Sequence, residues 1–99
     1  MAADLIIAPE AERDLIKAYA WYEGRRAGLG EEFLSSVDAA VEGIRRGPAM
    51  YSMIFETYRR CLIRRFPYAI FYEYAAGAVT VYGILHTARD PAKWRERLT

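Results

Sequence analysis

The stretch RRCLIRRFPYAIFYEY, residues 59–74, concentrates the chemistry-bearing side chains of this chain. Four arginines, Arg59, Arg60, Arg64 and Arg65, flank a short apolar segment. A guanidinium grips phosphate or carboxylate through paired N–H donors. The cluster therefore reads as a grip for a nucleic-acid backbone or for acidic residues of a protein. A second chemistry centres on His86, the only histidine. Cleaving RNA through its 2′-hydroxyl needs a base for that proton, an acid for the leaving oxygen and a cation for the phosphorane charge. Glu56, His86 and either Arg60 or Arg89 are residue types that fill those roles. A third set is aromatic: Trp21, Tyr22 and Trp94 are candidates for meeting a partner, because exposed aromatics mark interfaces. Trp21 in particular stands off the apolar stripe of Leu15, Tyr19 and Tyr22. Each set has a plainer reading. The arginines are solvated or paired with acids such as Glu56 and Glu73, His86 is hydrogen-bonded at a strand end, and the aromatics belong to a core.

Composition narrows the choice. The net charge is only +1, with twelve arginines against two lysines. A dedicated nucleic-acid binder is usually far more basic, because phosphate contacts dominate its affinity. A broad nucleic-acid surface is thus disfavoured, while one narrow basic site remains open. With 99 residues, 54% of them hydrophobic, a single folded domain over 1–99 is expected. One cysteine, Cys61, excludes an internal disulfide and suits a reducing cytoplasm; it reads as a small buried hydrophobe. The start, MAADLIIAPE, lacks the basic region of a secretory signal. Residues 66–85 are apolar enough to suggest a membrane span, but Glu73, Pro67, two glycines and a clear alternation argue for two strands instead. No Cys/His cluster, P-loop or dinucleotide fingerprint occurs, so neither metal nor cofactor is implied.

The elements that must position these residues follow from periodicity. DLIIA, residues 4–8, reads as a short buried strand. Pro9 opens a helix, a position proline favours, and Ala11, Leu15, Ala18, Tyr19 and Tyr22 follow at helical spacing. Acids in its first turns and Arg25-Arg26 at its end suit the helix dipole. After the turn AGLG, a second helix from about Glu31 to Arg46 shows an apolar face of Phe33, Leu34, Val37, Ala40, Val41 and Ile44. Gly47-Pro48 ends it. The short connection implies an antiparallel helical hairpin. Beyond Pro48 the period becomes two. Residues 59–65 form a strand, Pro67 marks a break, and Tyr68–Tyr74 and Val79–His86 form a β-hairpin around Ala75-Ala76-Gly77. Asp90-Pro91 is a helix N-cap and N1 pair, and Trp94 and Leu98 would pin the last helix to the body. The expected order is β-α-α-β-β-β-α, an α+β fold with a helical hairpin on one face of a small, mostly antiparallel sheet.

This order, with APEAERDL at the first helix, RRCLIRRFPYAIFYEY in the strands and VYGILHTARDPAKWRERL at the end, resembles the RelE/ParE superfamily of toxins from type II toxin–antitoxin systems. The resemblance covers the whole chain. It implies a cognate antitoxin, a toxin–antitoxin hetero-oligomer, and one of two targets. ParE-like members act on DNA gyrase by binding; RelE-like members cut mRNA in the ribosome. RelE-like members place lysines around the central strands, whereas this chain has only Lys17 and Lys93, outside them. Another nuclease branch has His followed by Tyr near the C-terminus, whereas Thr87 follows His86 here. The ParE-like branch is therefore expected, with no cofactor and no metal. Arg59, Arg60, Arg64, Arg65, Trp21, Tyr22 and Trp94 then serve target or partner binding. The alternatives are the mRNA endonuclease, using Glu56, Arg60, His86 and Arg89, and a non-toxic relic that only pairs with its antitoxin. An apolar groove between helical hairpin and sheet, rimmed by Trp21, Tyr22 and the last helix around Trp94, is expected to receive the antitoxin.

Overall fold

A computed structural model describes residues 2–88 and 92–98. The chain runs β1 (Asp4–Ile7), α1 (Pro9–Arg25), α2 (Leu29–Arg46), β2 (Met53–Phe55), β3 (Tyr58–Leu62), β4 (Tyr68–Ala75), β5 (Ala78–His86) and α3 (Lys93–Leu98). The five strands form one sheet in the order β1-β5-β4-β3-β2, with β1 parallel to β5 and every other pair antiparallel. The α+β layout is the expected one, with β2 as an added strand. Three residues are too few to show an alternation. β1 is not the buried strand expected from its composition. It lies at the sheet edge, and Ile6 is 53% exposed.

The apolar stripes of α1 and α2 set the layering. Ala11, Ala18 and Tyr22 of α1, and Phe33, Val37, Val41 and Ile44 of α2, pack against Cys61, Ile70, Tyr72, Val79, Val81 and Ile84 of the sheet. Residues of opposite parity, Ala69, Phe71 and Leu85, face the other way and are covered by Trp94 and Leu98 of α3. Residues 68–72 are all buried because β4 is central and covered on both faces. Trp94 stacks on Phe71, ring centroids 5.8 Å apart. The Asp90-Pro91 cap lies outside the described residues.

The connection between the helices is tightened from α1. No side chain at the α2 N-cap, Gly28, closes that helix end. Instead Glu23 accepts the Gly28 and Gly30 N–H groups, each at 2.9 Å. A Cβ on Gly30 would come within 2.8 Å of the Tyr19 ring, so the two helices approach closely only because residue 30 has no side chain. Glu23→Ala removes this cap and is expected to cost about 1 kcal/mol. A lowered urea midpoint with an unchanged slope would show it; an unshifted midpoint would remove Glu23 from that role.

Candidate functional site

The arginine cluster is divided by the fold. β3 stops at Leu62, so only Arg59 and Arg60 lie in a strand; Arg64 and Arg65 sit in the turn before β4. Arg59 is half-buried, and its Nη1 donates to the carbonyls of Tyr51 (2.6 Å) and Ala49 (3.2 Å). It clamps the link from α2 to β2. Arg65 donates to Glu32 at 2.9 Å, and Arg26 holds the same carboxylate at 3.0 Å. Those two guanidinium groups, Arg65 first, keep the Glu32 carboxyl below its ordinary range. Arg60 and Arg64 are exposed and form no ion pair among the described residues. A groove of about 630 Å³ runs between α2 and β3, bordered by Ser36, Ala39, Leu62, Arg64 and Arg65.

The aromatic candidates also separate. Trp21 is 43% exposed, with the Arg25 guanidinium over its ring at 4.4 Å. Tyr22 is buried in the core, where its ring meets Phe33 and Phe66 at 5.1 and 4.9 Å. Trp94, on α3, packs against the sheet face opposite the hairpin. The three do not form one rim; among the described residues, the α2–β3 groove and a cavity beside Trp21 are separate hollows.

The residues proposed for proton transfer and charge stabilisation are dispersed. Glu56 occupies the turn between β2 and β3, at φ 51°, next to the Tyr58–Glu73 pair. His86 pairs with Tyr68, five positions along β4 from Glu73. At about 3.3 Å per residue, that puts the two ends roughly 17 Å apart. Arg60 pairs with Phe71 and so shares the α3 face, while Tyr68 and its neighbour His86 share the hairpin face. Arg89 lies outside the described residues. Glu56, Arg60 and His86 are thus not brought together. His86 sits at the end of β5, its Nδ1 accepting the Ala88 N–H at 3.1 Å and its ring edge-on to Tyr68 at 5.2 Å. Cys61 is buried, and burial pushes its thiol up. Tyr72, fully buried, donates to the Pro48 carbonyl at 2.6 Å; burial, the largest cause, pushes its phenol up to about 12.

One polar centre escaped sequence reasoning. Asp14 accepts the Ile84 N–H at 3.0 Å and both Arg97 nitrogens at 2.9 and 3.2 Å, while Arg97 also donates to the Tyr82 carbonyl at 3.1 Å. The Asp14 carboxylate holds the Arg97 guanidinium above its usual value. β1 pairs with β5 only as far as Val81, so the Ile84 N–H needs another acceptor. The available signal was an acid in the apolar stripe Ala11, Leu15, Ala18. Nothing in the sequence indicated its partner 83 residues away.

Among the described residues, no group of three or more His, Cys, Asp or Glu could hold a metal ion. No described helix is long and apolar enough to cross a membrane. No curated protein matches the chain. A solved structure titled "Chromosomal ParDE TA system from P. aeruginosa" superposes with a TM-score of 0.76 at 12% identity, covering 86% of this chain and 96% of that one; at that identity it speaks for the fold. The family model described as "ParE toxin of type II toxin-antitoxin system, parDE" matches residues 5–91. The match spans both helices of the hairpin and, Asp4 of β1 apart, the five strands, and on it the chain belongs to the ParE toxin family of type II toxin–antitoxin systems.

Proposed function

We propose that this chain inhibits DNA gyrase by binding it and is neutralised by a cognate antitoxin. The observation that carries the reading is the family match over residues 5–91. The dispersal of Glu56, Arg60 and His86 agrees with it, because acid–base cleavage requires those groups within hydrogen-bond reach of one phosphate. Within the 59–65 cluster, Arg60 and Arg64 are exposed and pair with no acid among the described residues, which leaves them open to carboxylates of a protein partner. The α2–β3 groove, with its small residues, exposed Leu62 and arginine rim, suits an amphipathic antitoxin segment carrying acidic residues. The relic reading differs only in having no target.

A supercoiling assay with purified gyrase tests this directly. The wild-type chain slows supercoiling, and His86→Ala still inhibits, because the histidine has no proton to move. Programmed ribosomes yield no cut mRNA. Codon-phased cleavage lost by about 10²–10⁴-fold in His86→Ala would instead establish the nuclease. Absence of both activities would leave the relic.

A further inference from the structure

The two edges of the sheet are defended differently. β2 ends one of them with three residues and a register shift against β3, so it offers little straight strand for pairing. β1 ends the other, and its run Leu5-Ile6-Ile7 carries neither charge nor proline, the usual guards of an edge. Ile6 is 53% exposed and Ile7 38%.

The hydrogen bonds of β1 define which backbone groups point outward. The Asp4 N–H donates to the Gly77 carbonyl at 3.1 Å and the Ala8 N–H to the Val81 carbonyl at 2.9 Å. Asp4, Ile6 and Ala8 therefore turn their N–H groups toward β5, while Leu5 and Ile7 turn theirs to the open edge. Both ends of this open segment are closed. The Ala3 N–H donates to the Arg45 carbonyl at 3.1 Å, and the Arg45 Nε donates to the Ala3 carbonyl at 2.8 Å. At the other end Pro9 has no N–H to offer.

We infer that a second copy of this chain pairs on this edge, β1 against β1 and antiparallel, about a two-fold axis at Ile6. The closed ends fix the register. Across a new pair only outward residues exchange hydrogen bonds. Leu5 opposite Leu5 would set Ile7 against Ala3, which Arg45 already holds. Ile7 opposite Ile7 would set Leu5 against Pro9, which cannot donate. Leu5 opposite Ile7 of the second copy pairs both residues fully and brings Ile6 against Ile6. The charges agree. Arg45 and Arg46 stand at the Ala3 end of β1, and Glu10 and Glu12 follow Pro9 at the Ala8 end. The two-fold brings each end against the opposite end of the second copy. The pairing joins two five-stranded sheets into one and does not depend on which macromolecule the chain inhibits.

The test is sedimentation equilibrium of the full chain. A reversible monomer–dimer equilibrium is expected, with a dissociation constant of about 10–100 μM for so short an interface. Ile6→Lys, at an exposed position, keeps the fold and weakens the dimer by ~10-fold or more. Met53→Lys, on the β2 edge, leaves it unchanged. Under mild oxidation Ile6→Cys cross-links two chains, because Cα atoms at such a position stand about 4.5 Å apart, within reach of a disulfide. Asp4→Cys does not, because Asp4 faces Ala8 of the second copy and the two substituted positions lie roughly 13 Å apart along the strands. The wild type, whose Cys61 is buried, sets the background. The cysteine pair decides the matter even if Ile6→Lys fails to fold. A monomer at millimolar concentration overturns the proposal and leaves this edge to a different chain. So does a dimer that Ile6→Lys leaves intact, or cross-linking of Asp4→Cys as ready as that of Ile6→Cys.

Discussion

Replacing Phe33 with alanine lowers folding stability by about 3–5 kcal/mol, the range for emptying a packed aromatic site. The Phe33 ring is fully buried, with Tyr22, Phe66 and Tyr68 at centroid distances of 5.1, 5.2 and 5.2 Å. Those three rings come from α1, the turn before β4, and β4 itself. The hole therefore opens where the helical hairpin meets the sheet, and one collapsing side chain cannot fill it from several directions. Domains hold only about 5–15 kcal/mol in total, and small ones sit low in that range. Each kcal/mol moves the melting temperature of such a domain by about 4–8 °C. The variant should melt at least ~12 °C lower than the wild type. Phe33→Leu retains most of the volume and loses less. An alanine variant that melts within a few degrees of wild type would mean that the four rings do not pack together in solution.

Asp14→Ala carries the second large effect, about 2–3 kcal/mol. Removing one partner of a buried pair costs about 3–5 kcal/mol, and the figure is reduced here because the Asp14 and Arg97 side chains keep 16% and 21% of their exposure. The substitution strands two donors at once, the Arg97 guanidinium and the Ile84 N–H. Arg97→Ala should cost less, since Asp14 keeps its bond to Ile84. The double variant should be more stable than the sum of the two losses implies, by ~1 kcal/mol or more, because the pair is coupled. α3 should also loosen in Asp14→Ala, seen as faster amide exchange across Lys93–Leu98 and altered Trp94 fluorescence. Additive losses within ~0.5 kcal/mol, with α3 exchange unchanged, would reduce the pair to two independent surface charges.

The candidate site was less legible than the elements that carry it. Arg59 and Arg65 looked available because a strand pattern shows which residues share a face, but not which carbonyl or acid stands opposite. Tyr51 lies eight residues from Arg59, and Glu32 thirty-three from Arg65. Trp21 and Tyr22 were proposed together, and adjacency on a helix put one outside and the other in the core. His86 was placed correctly at its strand end. Its separation from Glu56 depends on β4 running the length of the sheet between them.

Local physics wrote α1, α2 and the β4–β5 hairpin into the chain. Pro9 presets the first turn, the stripes of both helices recur at three and four residues, and Gly77 supplies the φ of 77° that the turn after Ala76 needs. These signals lie within a few residues, so each can be read without the tertiary fold. The superfamily was legible for the same reason, because its marks are contiguous strings. Only the assembled fold could decide the rest. β2 exists because β3 offers it an edge, and β1 is an edge because β5 pairs it on one side alone. Asp14 meets Arg97, and both lysines meet at one cavity, because α3 returns across the sheet to the flank of α1. Contacts between residues some eighty positions apart leave no period in a sequence; they are set by the path the chain takes once its hydrophobic faces have been buried.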